Sequence, residues 1–139
     1  HGDPFHFRPP KTLDDAFLFG LGIGLYWGEG NKKNKMSVRL GNTDPKLIKM
    51  YLRFLHKIYG AERRKIRFGL QVFSDMKPVL ALRFWSKALR FPVSHFWKVV
   101  VTPARSIGTY REKTKHGVLT VHFSNKKLRD MLVSQIENL

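Results

Sequence analysis

The chain has 139 residues, 42% of them hydrophobic and 13% aromatic, which is enough for one domain with a real core and too little for two large ones. Lys and Arg number 26 against 10 Asp and Glu, a net charge of +16, so the molecule repels itself until a polyanion offsets the excess, and nucleic acid is the first candidate. The absence of cysteine excludes disulfide scaffolds, zinc ribbons and thiol catalysis.

The opening HGDPFHFRPPK begins with His1 rather than Met, as expected of a processed or partial chain, and holds no apolar signal-peptide core. Residues 1–11 read as an extended lead-in and residues 12–139 as a single domain. No apolar run reaches the length of a spanning helix, so no membrane partner is expected. The expected location is the prokaryotic cytoplasm or an organelle.

Thr12, followed by Asp14 and Asp15, starts a helix that runs through AFLFGLGIGLYWG and stops near Gly30. NKKNK (31–35) is a basic turn. In MSVRLGN (36–42), Met36, Val38 and Leu40 alternate with Ser37 and Arg39, the pattern of a half-buried strand. Asp44-Pro45 caps a second helix that Gly60 ends. KIRFGLQVF (65–73) alternates again, with Lys65, Arg67 and Gln71 opposite the apolar residues. Ser74 is expected to cap a third helix to about Phe91, with Pro78 in its first turn. KVVVT (98–102) and GVLTVHF (117–123) read as strands around a long, polar, basic loop. Asn125 caps a last helix with an apolar stripe. The fold class is α+β, with helices covering one face of a mostly antiparallel sheet.

The first helix is the most informative segment. Gly20, Gly24 and Gly28 recur at four-residue spacing, with Gly22 beside them, and each interior glycine costs a helix up to about 1 kcal/mol against alanine. Close approach of another helix would justify that cost. A glycine-rich loop, or a helix packed onto its own sheet, would also use small residues. Glu29 adds a carboxylate where a helix already presents partial negative charge, which a bound hard cation would offset.

FLFGLGIGLYWGEG resembles the signature helix of the LAGLIDADG homing endonucleases. GIGLYWGEG (22–30) takes the place of the nine-residue motif, with Gly24 and Leu25 on its central Gly-Leu, Gly28 at the small-residue position, Glu29 at the acidic position and Gly30 at the end. Gly22 departs from the leading leucine, and Trp27 stands where the family has a non-essential aspartate. NTDPKLIKMYLRFL and GVLTVHFSNKKLRDML are similar to later segments of small bacterial members.

The resemblance implies a LAGLIDADG-type fold whose sheet forms a DNA-binding saddle. It implies a sequence-specific double-stranded DNA endonuclease that depends on Mg²⁺ or another divalent cation. Glu29, with the nearby Gly28 carbonyl, would bind the metal. Because the signature occurs once, a homodimer is implied, with Gly20, Gly24 and Gly28 at its interface. A lysine near the scissile phosphates is common in the family, and strand position makes Lys98 or Gln71 the candidate here.

Alternation assigns Ser37, Arg39, Lys65, Arg67, Gln71, Lys98, Thr102, Thr120 and His122 to the saddle, where Arg and Gln can read base edges and Lys can neutralise phosphates. Lys32, Lys33 and Lys35 in the turn, and Arg105, Arg111, Lys113 and Lys115 in the long loop, would extend the footprint. Trp27, Trp85 and Trp97 are expected in the core or between helices. The six histidines show no metal-binding spacing. The competing expectation is a LAGLIDADG-like domain without cleavage, acting as a transcription regulator or RNA maturase. A basic structural protein on ribosomal RNA is a weaker one, because it leaves the glycine strip and Glu29 without purpose.

Overall fold

A computed structural model describes residues 2–103 and 115–139. Helix α1 (Leu13–Glu29) starts where Thr12 Oγ1 accepts the Asp15 amide at 3.0 Å, and ends where the Gly30 amide returns to the Tyr26 carbonyl. Strand β1 (Val38–Asn42) follows, then α2 (Pro45–Tyr59), capped by Asp44 through the Lys46 amide at 2.9 Å. Gly60 closes α2 in the left-handed region at φ 54°, which glycine enters without a Cβ penalty.

A short 3₁₀ turn (Arg63–Lys65) leads into β2 (Ile66–Phe73). Lys65 therefore precedes the strand instead of opening it. Helix α3 spans Pro78–Leu89. It begins later than expected, and Ser74 is not its cap: the proline ring keeps Lys77 extended, at φ −94° and ψ 110°, so the helix cannot reach back past Pro78. The Ser74 amide instead donates to the Thr102 carbonyl at 2.8 Å. Strands β3 (Val100–Thr102) and β4 (Val118–Phe123) and helix α4 (Lys126–Glu137) complete the described chain, and Asn125 caps α4 through the Leu128 amide at 2.9 Å. Arg105, Arg111 and Lys113 lie outside the described residues.

The four strands form one mixed sheet in the order β1-β4-β2-β3. β4 runs antiparallel to both neighbours, whereas the edge strand β3 is parallel to β2. The parallel pair follows from α3, which carries the chain from the end of β2 back to its start, as a tight hairpin cannot. Alternation sorts the two faces. Val38, Leu40, Phe68, Leu70, Leu119 and Val121 are buried in one cluster with Ile48, Phe54 and Ile58 of α2. Trp85 joins that core, its Nε1–H donating to the His116 carbonyl at 2.7 Å, so its one polar group is satisfied. Among the described residues, no helix is long and apolar enough to cross a membrane.

The lead-in is not a free arm. The His6 amide donates to the Tyr59 carbonyl and the Arg8 amide to the Ile58 carbonyl, while the Phe7 ring sits 5.3 Å from that of Tyr59. Close helix approach within the chain falls to Gly22, not to the glycine strip. A Cβ on Gly22 would land on the Phe54 ring of α2, while Gly20, Gly24 and Gly28 have nothing within 4 Å of theirs.

Candidate nucleic-acid interface

The sheet face turned away from the helices is built in cross-strand rows. Arg39, His122 and Arg67 stand side by side on β1, β4 and β2. The next row is Gly41, Thr120 and Gly69, followed by Val118, Gln71 and Val100. Two strand spacings separate Arg39 from Arg67, or about 10 Å between backbones. The alternating sequence thus sets two guanidinium groups on one surface.

Each cation or amide is held by neighbours. Arg39 Nε donates to Ser37 Oγ at 2.8 Å, and Ser37 Oγ lies 3.3 Å from Asn34 Oδ1. Ser37 is only 2% exposed, so it orients Arg39 and does not itself face a ligand, a correction to its expected contact role. Arg67 donates through Nη1 to the carbonyls of Arg64 and Ile66, both at 2.8 Å, which leaves Nε and Nη2 for a base edge or phosphate. Gln71 Nε2 donates to Thr102 Oγ1 at 2.7 Å and keeps its carbonyl oxygen as an acceptor. Gln71, Thr120, Val100, Val118 and Gly69 line a concavity of about 290 Å³.

His122 departs from expectation. It is 8% exposed, and the Trp97 ring covers it at a centroid distance of 4.4 Å. Burial, with Arg39 beside it, pushes its pKa down from 6.5 to about 4, so it is a neutral buried ring rather than a phosphate contact. Trp97 takes the exposed place over Gly69, at 47% exposure. Neither Trp97 nor Trp27 lies in the core of the single chain, since Trp27 is 56% exposed. The signal for Trp97 was present in the order of residues: Phe96 faces the core beside Phe68, so its neighbour faces out. Met36, expected on the buried face with Val38 and Leu40, is 64% exposed and precedes β1.

The neutral state of His122 has a measurable consequence. Its folded pKa lies below the unfolded one, so the unfolded chain takes the proton first as pH falls. The contribution is complete above pH 6.5 and is lost progressively as pH drops towards 4. The full shift corresponds to about 3 kcal/mol. The urea midpoint of the wild type is expected to fall across this window more steeply than that of His122→Gln, which cannot titrate. Parallel pH profiles would refute the assignment.

Lys98 is exposed just before β3, but alternation does not fix its direction. From the Phe68–Phe96 bridge to the Gln71–Val100 pair, β2 advances three residues and its neighbour four. The extra residue breaks the alternation that grouped Lys98 with Thr102. Lys33, Lys35, Lys65 and Lys115 are exposed.

Lys32 is engaged elsewhere than expected. Its ammonium donates to the carbonyls of Tyr26 at 3.2 Å, Trp27 at 2.6 Å and Gly30 at 3.0 Å, at the end of α1. The negative end of that helix therefore has a cation from its own chain. Helix electrostatics alone therefore do not require a metal at Glu29. Arg129 of α4 holds the same turn by donating from Nη2 to the Lys32 carbonyl at 2.9 Å.

Glu29 and Gly28 are exposed, and Lys32 leaves the Gly28 carbonyl unengaged. Among the described residues no three His, Cys, Asp or Glu side chains gather into a metal-holding group. The Glu29 carboxylate and the Gly28 carbonyl are oxygen donors of the kind a hard divalent cation takes. The end of α1 lies against the edge strand of the sheet, with Gly30 bridged to Leu40 and the Asn31 amide donating to the Arg39 carbonyl at 2.9 Å. Glu29 is thereby tethered next to the strand that carries Arg39.

No family model matches this sequence, and neither a curated protein nor a solved structure shows significant similarity to it.

Proposed function

We propose that the chain is a homodimeric, divalent-metal-dependent, sequence-specific double-stranded DNA endonuclease of the LAGLIDADG type. The observation that carries this reading is the outer face of α1. Its buried side uses Leu18, Gly22, Ile23 and Tyr26. The other side exposes Leu13 at 90%, Phe17 at 72%, Leu21 at 41% and Trp27 at 56%, interspersed with the open Gly20, Gly24 and Gly28. A soluble helix with apolar side chains and glycines along one solvent-facing stripe suits a second helix, and an identical one about a two-fold axis satisfies both. Pairing there would supply a second Glu29 and extend the cationic sheet face. Glu29 and the Gly28 carbonyl would hold the metal, which supplies an activated water and stabilises the leaving oxygen.

A non-cleaving DNA-binding regulator or RNA maturase is the second reading. One observation favours it: the Lys32 ammonium already offsets the negative end of α1 from within the chain. Incubation with a randomised duplex library and Mg²⁺, followed by sequencing of ends, separates the two. Discrete staggered cuts support the nuclease. Selective retention without cuts supports the regulator, and neither cuts nor selection defeats both.

The dimer makes the two kinds of glycine behave differently. Gly24→Leu adds bulk where the single chain has empty space, so folding should survive while sedimentation shifts from dimer to monomer. Gly22→Ala puts a methyl on the Phe54 ring and should lower stability by about 1–3 kcal/mol or more. A wild type that sediments as a monomer at micromolar concentration would overturn the pairing.

A further inference from the structure

On the helix side of the sheet, a second concavity of about 260 Å³ opens between α2, the start of β2 and the end of α3. Its floor is apolar, made by Leu52, Ala61, Ile66, Leu89 and Phe91. Its rim is cationic. Lys49, Arg53 and His56 follow one another along one exposed stripe of α2, and Arg63 completes the edge. The Arg63 guanidinium stacks over the Phe91 ring at 3.5 Å and donates to the Arg90 carbonyl, which holds it at the mouth. No acid lines this hollow, and among the described residues none of the three rim cations Lys49, Arg53 and Arg63 is in an ion pair.

We propose that this concavity docks an acidic segment of a protein partner. One aliphatic or aromatic anchor side chain enters the floor, and carboxylates on either side of it meet Lys49, Arg53 and Arg63. The volume is below the range of about 300–1,000 Å³ that drug-sized molecules fill, so it suits one anchor side chain and not a cofactor. Nucleic acid fits less well. Phosphates need the cations but leave the apolar floor unused. An anchor that desolvates the floor, with charge-assisted bonds at the rim, uses both halves of the site. The basic surface also continues past His56, which borders a neighbouring hollow of about 540 Å³ with Arg8, Lys11 and Lys57. Asp15 is the acid of that hollow, and it faces Lys57 at 3.6 Å. Because the site lies across the sheet from Arg39 and Arg67, a bound duplex on the other face would leave it open.

The probe is a fluorescein-labelled octapeptide, Asp-Glu-Asp-Leu-Phe-Asp-Glu-Asp, titrated with the full chain and followed by anisotropy. Saturable binding is expected. Replacing Leu-Phe with Ser-Ser should weaken it at least about tenfold, the effect of withdrawing an apolar anchor. The double variant Lys49→Glu/Arg53→Glu should weaken it at least about tenfold as well, while Lys33→Glu/Lys35→Glu, with the same charge change on the far turn, should cost less than about threefold. Circular dichroism will verify the fold, which changes at four exposed positions should preserve. Equal binding of both peptides would remove the anchor, and equal losses in both double variants would reduce the effect to bulk charge. If a single-stranded oligonucleotide of matched charge binds more tightly and depends on Lys49 and Arg53, the surface is a nucleic-acid site and the proposal fails.

Discussion

Replacing Glu29 with glutamine is expected to lower DNA cleavage by at least about a thousandfold while leaving DNA affinity unchanged or slightly higher. Glutamine keeps the shape and the exposure of the side chain at the end of α1 but cannot hold a divalent cation as a carboxylate does. The loss should be large because one metal would serve both the attacking water and the leaving oxygen. Affinity should hold because the change removes a negative charge from beside the cationic sheet edge. Lys32 also supports the fold of the variant. Its ammonium stabilises the helix end whether or not Glu29 is charged, so the substitution should not unravel α1. The measurement pairs cleavage in Mg²⁺ with binding in Ca²⁺ on one target. Equal cleavage by both proteins would remove Glu29 from the chemistry, and joint loss of binding and folding would make it structural.

Binding to duplex DNA is expected to collapse with salt. If about six phosphates are neutralised per subunit, and so about twelve per dimer, affinity should fall about a millionfold between 50 and 200 mM salt. Arg39, Arg67, Lys33, Lys35, Lys65 and Lys98 are the cations on and around the proposed face. Removing Lys33 should lower the salt slope by about one unit per subunit and weaken all sequences alike. Removing Arg39 or Arg67 should also relax sequence preference, by about 1–3 kcal/mol at the base each reads. Ser37→Ala should act like a mild version of the Arg39 change, because it removes the hydroxyl that holds Arg39 Nε. A binding constant indifferent to salt would contradict the interface.

The local elements were legible because short-range chemistry determines them. Thr12, Asp44 and Asn125 satisfy orphan helix amides, Gly60 supplies a left-handed cap, and period-two alternation sorts β1, β2 and β4 into two faces. The α+β class and the placing of Arg39 and Arg67 on one face could be read from the order of residues. Tertiary structure decided what depends on contacts between distant segments. It made β3 a parallel edge because α3 returns the chain to the start of β2. It gave the intrachain helix contact to Gly22 through Phe54, leaving Gly20, Gly24 and Gly28 open. It buried His122 beneath Trp97, and it set the exposed Lys32 ammonium on the carbonyls at the end of α1. Composition and spacing determine which face a side chain starts from. What that side chain then touches is decided by the strands and helices that folding brings beside it, and at Ser37, His122 and Lys32 those neighbours reassign the role.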